Sequence, residues 1–250
     1  NILFLWQHIN CLNYIMNTML KIKSLYYYFR AGLAFIFLGI PLMFYIILNP
    51  KSVYKTSSFL CKILFKCLGI KYNITGKLPN HGPYIIMHNH SSFLDMFFIP
   101  IIMKGKYTGV IAAKNFKIPI VSVALKKLKA IPIFRSNRTQ AIQGIKIAEK
   151  RIKEGFNIVI FPEGTRTITG KLSQLKKGGF HMAKNTQTKI IPIIVKGLYE
   201  IKPKTRWSLN TKVVAQMIIE EPLDIINYTV TESIEKLNNL FEKHGLEVTR

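Results

Sequence analysis

Residues 83–95 read Pro83-Tyr84-Ile85-Ile86-Met87-His88-Asn89-His90-Ser91-Ser92-Phe93-Leu94-Asp95. The apolar run that follows the Gly82-Pro83 turn signal predicts a buried strand over 84–88, and the pattern from Phe93 predicts a helix over 93–102. His90 then falls at the strand-to-helix turn. Asp95 is the first acidic side chain of the chain and the next is Glu149, so a carboxylate placed five residues after a histidine calls for a reason. Were residues 90 to 95 all helical, five steps of about 100° would set the two side chains about 140° apart. With His90 in the turn and Asp95 in the first helical turn, the carboxylate reaches an imidazole nitrogen. An acid that fixes the tautomer and leaves the other nitrogen free to take a hydroxyl proton is the arrangement of a general base.

The same residues support other readings. Ser92 and Asp95 fit the S-x-x-D capping box, in which the carboxylate only bonds backbone N–H groups at a helix start. His88 and His90, two apart on a strand, share a face and invite a metal. His81 lies nearby, yet no third ligand has convincing spacing, so no metal is expected. Ser91 or Ser92 as a covalent nucleophile lacks the G-x-S-x-G elbow.

The 250 residues suffice for one large α/β domain with an appendage. Cys11, Cys61 and Cys67 are odd in number and have no metal or redox spacing, which points to a reducing compartment. The formal net charge is +24. The lysines are spread along the whole chain among Ile and Asn, and no zinc-finger or RRM signature accompanies them, so nucleic acid is not the expected partner. An anionic membrane surface or phosphorylated substrates explain the charge as well.

Ala31 to Leu48 is an uncharged apolar run, about 27 Å long if helical and close to the roughly 30 Å hydrocarbon core of a bilayer. Membrane association is expected, with Pro41 kinking the helix or making it re-entrant. No small-residue cleavage site follows, so a cleaved signal is not expected. Ser57 to Leu68 has amphipathic spacing and fits either a lipid-facing or an ordinary surface helix. We therefore expect a membrane-associating segment over 1–68 and a catalytic domain over 69–250.

Beyond Tyr72, strands are expected at 84–88, 108–113, 130–134, 157–161, 190–195 and 212–219. Helices are expected near 93–102, 118–128, 138–154, 176–185 and 231–243. Such alternation predicts an α/β fold with a mostly parallel or mixed sheet covered by helices. The buried-strand run Asn157 to Phe161 ends in Pro162-Glu163-Gly164-Thr165-Arg166. Arg166 offers a fork for phosphate, and Glu163 offers acceptors for hydroxyls. A turn with a surface Glu/Arg pair is the plainer alternative. Ala130 to Phe134 is another apolar strand, and it feeds Arg135 and Arg138.

Taken together these segments resemble the lysophospholipid acyltransferase family, and within it the 1-acylglycerol-3-phosphate acyltransferases. That family carries H-x-x-x-x-D, here His90 to Asp95, then a G-x-I-P/F-x-D-R type block. F-P-E-G-T-R follows, here Phe161 to Arg166, and then an apolar block around a proline, here Ile190 to Val195. Ala113 to Pro119 and Lys176 to His181 look like family connecting segments. The resemblance covers roughly residues 70 to 220. In the second block the family's usual glycine falls on Lys129 and its aspartate on Phe134, while the arginine is kept as Arg135.

The resemblance implies a glycerolipid acyltransferase-like fold and catalysis by His90 and Asp95. It implies substrate binding by Lys114, Arg135, Glu163, Gly164, Thr165 and Arg166. The implied partners are a membrane lipid, lysophosphatidic acid, and acyl-CoA or acyl-carrier protein as co-substrate, with no other cofactor. The implied place is a membrane, with the catalytic domain facing the cytoplasm. Family members acting on glycerol-3-phosphate or another lysophospholipid remain open, as does a non-catalytic membrane-surface binding protein.

Overall fold

The computed structural model of the protein describes residues 2–134 and 138–249. Helix α1 (Ile2–Ala34) runs through a π-helical turn, Phe35–Gly39, into α2 (Ile40–Leu48). The π turn sits just before Pro41, whose ring has no N–H to donate and crowds the preceding turn. A Cβ on Gly39 would stand 2.7 Å from the Phe35 ring, so glycine is what lets that ring fold against the widened turn. The expected kink at Pro41 therefore takes the form of a widened turn. Among the described residues, Tyr14–Leu48 is long and apolar enough to cross a membrane, and only 11% of its apolar window is buried.

After a tight turn, α3 (Val53–Cys67) leads to β1 (Lys71–Thr75). Alternation then follows as β2 (Ile85–His88), α4 (Asp95–Phe98), β3 (Tyr107–Ala112), α5 (Pro119–Lys127) and β4 (Ile131–Ile133). The chain continues with α6 (Arg138–Lys153), β5 (Asn157–Ile160), α7 (Gly178–Thr186) and β6 (Ile190–Lys196). It ends with α8 (Leu198–Ile201), β7 (Val214–Ile219) and α9 (Val230–Lys243). Among the described residues one sheet of seven strands forms in the order β1-β7-β6-β2-β5-β3-β4. All neighbours are parallel except β6 and β7, so the expected mixed α/β sheet is what the chain builds.

The central strands β2, β5 and β6 are almost wholly buried, as a sheet covered on both faces requires. Successive side chains alternate faces. Ile86, Val159, Ile191, Ile193 and Val195 pack with α3 and α4 through Cys61, Phe65 and Phe98. Ile85, Met87, Ile158, Ile160, Ile190 and Ile194 pack with α6, α7 and α9 through Ala148, Phe180, Leu237 and Phe241. A Cβ on Gly179 would lie 2.7 Å from Met87, so this glycine lets the first turn of α7 close on β2.

Three elements differ from expectation. Strand β1 pairs along its length with β7 although four of its five residues are exposed, which left no buried run to read in the sequence. Helix α4 is only four residues long before a 3-10 turn at Ile99–Ile101 that contains Pro100. Helix α3 is part of the core: Phe65 is fully buried and stacks on Phe98 with ring centroids 5.2 Å apart. The boundary expected after residue 68 falls between α3 and β1, yet α3 is bonded to the sheet-bearing unit. Ser57 and Tyr107 share a 2.7 Å hydroxyl hydrogen bond across it.

Candidate active site

Because β2, β3, β4 and β5 run parallel, their carboxyl ends meet at one edge, the usual place for a site in such sheets. His90 follows β2, Lys114 follows β3, and Glu163 to Arg166 follow β5. Arg135 comes two positions after β4 and lies outside the described residues.

The chain leaves β2 through Asn89, whose amide is buried and pairs with the backbone of Val195 on β6. Its Nδ2 donates to the Val195 carbonyl at 2.7 Å, and the Val195 N–H donates to its Oδ1 at 2.8 Å. This two-point clamp fixes where His90 emerges. His90 is in the turn and Asp95 opens α4, and Nδ1 of the imidazole lies 2.8 Å from Oδ2 of the carboxylate.

Asp95 is 0% exposed, and that same oxygen also accepts the backbone N–H groups of Ser91 at 2.7 Å and Ser92 at 2.9 Å. A buried carboxylate needs such partners. The base-orienting and backbone-capping readings of Asp95 thus describe one group. The box with Ser92 is half formed: Asp95 accepts the Ser92 N–H, while the Ser92 hydroxyl donates to the Lys202 carbonyl at 2.7 Å and accepts from Leu94 N–H at 3.2 Å. Neither serine hydroxyl contacts the imidazole as a nucleophile would.

The Phe161–Arg166 block grips His90 from the other side. Phe161 stacks on the imidazole with centroids 3.7 Å apart and planes inclined 21°. Oε1 of Glu163 accepts the His90 backbone N–H at 2.6 Å, and Oε2 accepts the Ser173 N–H at 2.8 Å. The His90 carbonyl accepts from Thr167 N–H at 2.9 Å. Glu163 is 2% exposed, and burial pushes its carboxyl up to about 7 against the two backbone bonds that pull it down. Both oxygens are thus taken up by protein donors, where the sequence reading has them face a ligand's hydroxyls. The turn around Gly164 has φ +73°, a left-handed conformation that suits glycine.

Thr165 is exposed, and Arg166 is partly exposed with no acidic partner among the described residues. Near Arg166 stands Lys202, whose ammonium is pushed below its usual range by burial and then by the Arg166 and Arg206 charges. Two or more cations held together without a carboxylate suit an anion. Lys114 is exposed on the short 3-10 turn after β3.

His88 is fully buried and edge-on to Phe161, with centroids 4.4 Å apart. Its Nδ1 lies 2.9 Å from the Asn89 carbonyl, and its Nε2 has no hydrogen-bond partner among the described residues. Burial pushes its pKa down to about 4, the nearby Asp95 acting against this, so it is a neutral neighbour of the pair. Among the described residues no group of three His, Cys, Asp or Glu side chains is placed to hold a metal. Lys129, where the resemblance expects a glycine, has φ +53°.

Sequence reading did not single out Asn89, Phe161 as a stacking partner, Ser173 or Lys202. Asn89 and Phe161 adjoin the two motifs at their strand ends, which is a signal. Ser173, ten residues beyond Glu163 and joined to it through a backbone N–H, leaves none.

Residues 69–196 match a family model described as acyltransferase. Over 157 residues the chain is 31% identical to a chloroplastic 1-acyl-sn-glycerol-3-phosphate acyltransferase of Arabidopsis thaliana, covering 61% of this chain and 44% of that protein. Over 141 residues it is 35% identical to a 1-acyl-sn-glycerol-3-phosphate acyltransferase of Cocos nucifera, covering 55% of this chain and 45% of that one. A protein of the same description from Saccharomyces cerevisiae is 34% identical over 117 residues, covering 45% and 38%. The matched stretch thus spans less than half the length of each of these relatives. The crystal structure of the 1-acyl-sn-glycerophosphate acyltransferase PlsC from Thermotoga maritima shares the fold, with a TM-score of 0.76 at 23% identity over 91% of this chain and 96% of that one.

Proposed function

The chain belongs to the acyltransferase family, and from that premise we propose that it moves a fatty acyl group from a thioester to the sn-2 hydroxyl of 1-acyl-sn-glycerol-3-phosphate, forming phosphatidic acid. The observation that carries this reading is the His90–Asp95 pair. Asp95 occupies Nδ1, which leaves Nε2 as the nitrogen that receives a proton.

In the proposed reaction Nε2 of His90 takes the acceptor's hydroxyl proton as the oxygen attacks the thioester carbonyl. Asp95 orients the imidazolium that results. The tetrahedral adduct collapses by breaking the carbon–sulfur bond, and the departing thiolate takes the proton back. No acyl-enzyme is needed, in keeping with serine hydroxyls that bond elsewhere. Proton transfer of this kind is worth about 10²–10⁴-fold.

Arg166, with Arg135 and Lys114, holds the acceptor's phosphate, and Gly164 and Thr165 border its glycerol. The absence of an acidic partner on Arg166 among the described residues supports that assignment. The donor is acyl-CoA or acyl-carrier protein. The exposed apolar helix through Tyr14–Leu48 keeps the site at a membrane, where acceptor and product reside, with the catalytic domain toward the cytoplasm.

Thiol release by purified protein, measured with both donors over a panel of lysolipids and glycerol-3-phosphate, tests the reading. Preference for lysophosphatidic acid is expected. Equal or better transfer to a neutral lysolipid would remove the phosphate-bearing acceptor.

A further inference from the structure

We infer that Glu163 is a positioning residue for His90, its buried carboxylate locking the histidine's backbone to the Phe161–Arg166 block without touching the acceptor. The inference rests on His90 being the base of the proposed transfer and reassigns a residue that its motif alone would place on the substrate.

The geometry leaves Glu163 little else to do. It is 2% exposed, and each oxygen accepts a backbone N–H, from His90 at 2.6 Å and from Ser173 at 2.8 Å. His90 has two backbone polar groups, and both end on the segment Glu163 to Thr167, because its carbonyl accepts from Thr167 N–H at 2.9 Å. Phe161 adds a ring contact from the same block. The histidine is therefore held at N–H, C=O and one ring face by residues more than seventy positions away. Asp95 then needs only to fix the Nδ1 edge. Holding a base within a fraction of an ångström of its productive place is a recognised share of catalysis. A carboxylate serving the acceptor would need an oxygen turned to solvent, as the exposed Thr165 and partly exposed Arg166 have.

The brace also has a titration of its own. Glu163 is pushed up to about 7 by burial, and a protonated carboxyl gives up part of its capacity to accept. Acidification through neutrality thus loosens the hold on His90 separately from any protonation of the imidazole.

Two substitutions separate the roles. Glu163→Gln keeps the volume but turns an amide N–H toward one of the backbone donors. Glu163→Asp keeps the charge and shortens the reach by one methylene. Hydrogen exchange at the His90 and Ser173 backbone amides, read by fragment mass, reports the brace whatever the activity. Steady-state kinetics with lysophosphatidic acid report the positioning. In Glu163→Asp both amides, and in Glu163→Gln the one that faces the new amide N–H, should exchange faster, on the order of tenfold for a lost hydrogen bond. The value of kcat should fall at least as far, with the acceptor KM changed by less than about twofold. A raised acceptor KM at unchanged kcat would return Glu163 to the substrate and overturn the inference, as would unchanged exchange. Full rescue by Glu163→Asp would show that charge and not reach matters, which also overturns it. If the unmodified protein transfers no acyl group to lysophosphatidic acid, the proposed reaction fails on its own account, while the exchange measurement still decides the brace.

Discussion

The ring of Phe161 lies on the imidazole of His90, centroids 3.7 Å apart and planes inclined 21°, although the two residues come from different strand ends. One imidazole face is covered by this contact and the Nδ1 edge by Asp95, and the side chain keeps 15% of its surface exposed. In the proposed reaction the acceptor's hydroxyl must reach Nε2 through that opening.

Phe161→Leu keeps an apolar cover and removes the stack. Aromatic pairing of this kind is worth about 0.5–1.5 kcal/mol beyond buried area, so kcat should fall roughly two- to tenfold with little change in acceptor KM. Initial rates across acceptor concentration read the split. An unchanged kcat would mean that the stack does not help orient the base.

His90→Ala and Asp95→Asn should each lower kcat by about 10²–10⁴-fold, the scale of general-base assistance. The double variant should be no worse than His90→Ala alone, because a carboxylate that acts through the imidazole has nothing left to orient. Single-turnover rates of thiol release measure this. Multiplied losses would show that Asp95 acts independently.

Much of this site is visible in the order of residues. The run Ile85 to Met87 is apolar on both sheet faces, so a buried strand ending just before His90 follows from composition, and the five-residue step to Asp95 demands the turn that is found. Glu163 shows where such reading stops. A carboxylate beside a glycine at a strand end reads as facing a ligand, and only the backbone N–H of Ser173, which carries no side-chain signature, reveals that it faces inward. Strand β1 was hidden for a related reason, since its partners on β7 are backbone groups and its side chains are largely exposed.

Stability should carry the mark of Glu163. Its pKa is raised in the folded protein, from 4.5 to about 7, so the folded state binds the proton more tightly than the unfolded chain does. The contribution is fully present below about 4.5 and is lost as pH rises through about 7. At about 1.4 kcal/mol per tenfold in proton affinity, the whole span is at most about 3.5 kcal/mol. The stability of the native protein minus that of Glu163→Gln should therefore fall between pH 4.5 and 7. Urea titrations at several pH values give the difference, and a rise over that interval would contradict the buried-carboxyl account.

Lys129 stands at φ +53° on an exposed turn, held over the Phe156 ring at 5.2 Å and 4.0 Å from Glu154. A left-handed conformation costs a side-chain-bearing residue roughly 1–2 kcal/mol, more than an exposed ion pair and cation–π contact usually return. Lys129→Gly should accordingly leave the protein as stable or raise stability by up to about 1 kcal/mol, with activity unchanged. Thermal unfolding checks it, and a clear loss of stability would show that the ring contact outweighs the strain.

Arg166 shares its surroundings with Lys202 and Arg206, and the two guanidinium charges lower the Lys202 ammonium further after burial has done so. Mutual repulsion among cations without a carboxylate is relieved by a bound dianion, and a phosphate monoester supplies one. Arg166→Lys preserves the charge but replaces the planar two-pronged donor by a single ammonium. Losing one charge-assisted hydrogen bond costs about 1.5–3 kcal/mol, so the KM for lysophosphatidic acid should rise at least tenfold while kcat and the donor KM hold. The same variant should treat a neutral lysolipid as the native protein does, because no phosphate is there to miss the fork. Parallel kinetics with the charged and neutral acceptors make the comparison. An unchanged KM for the charged one would take the phosphate away from Arg166.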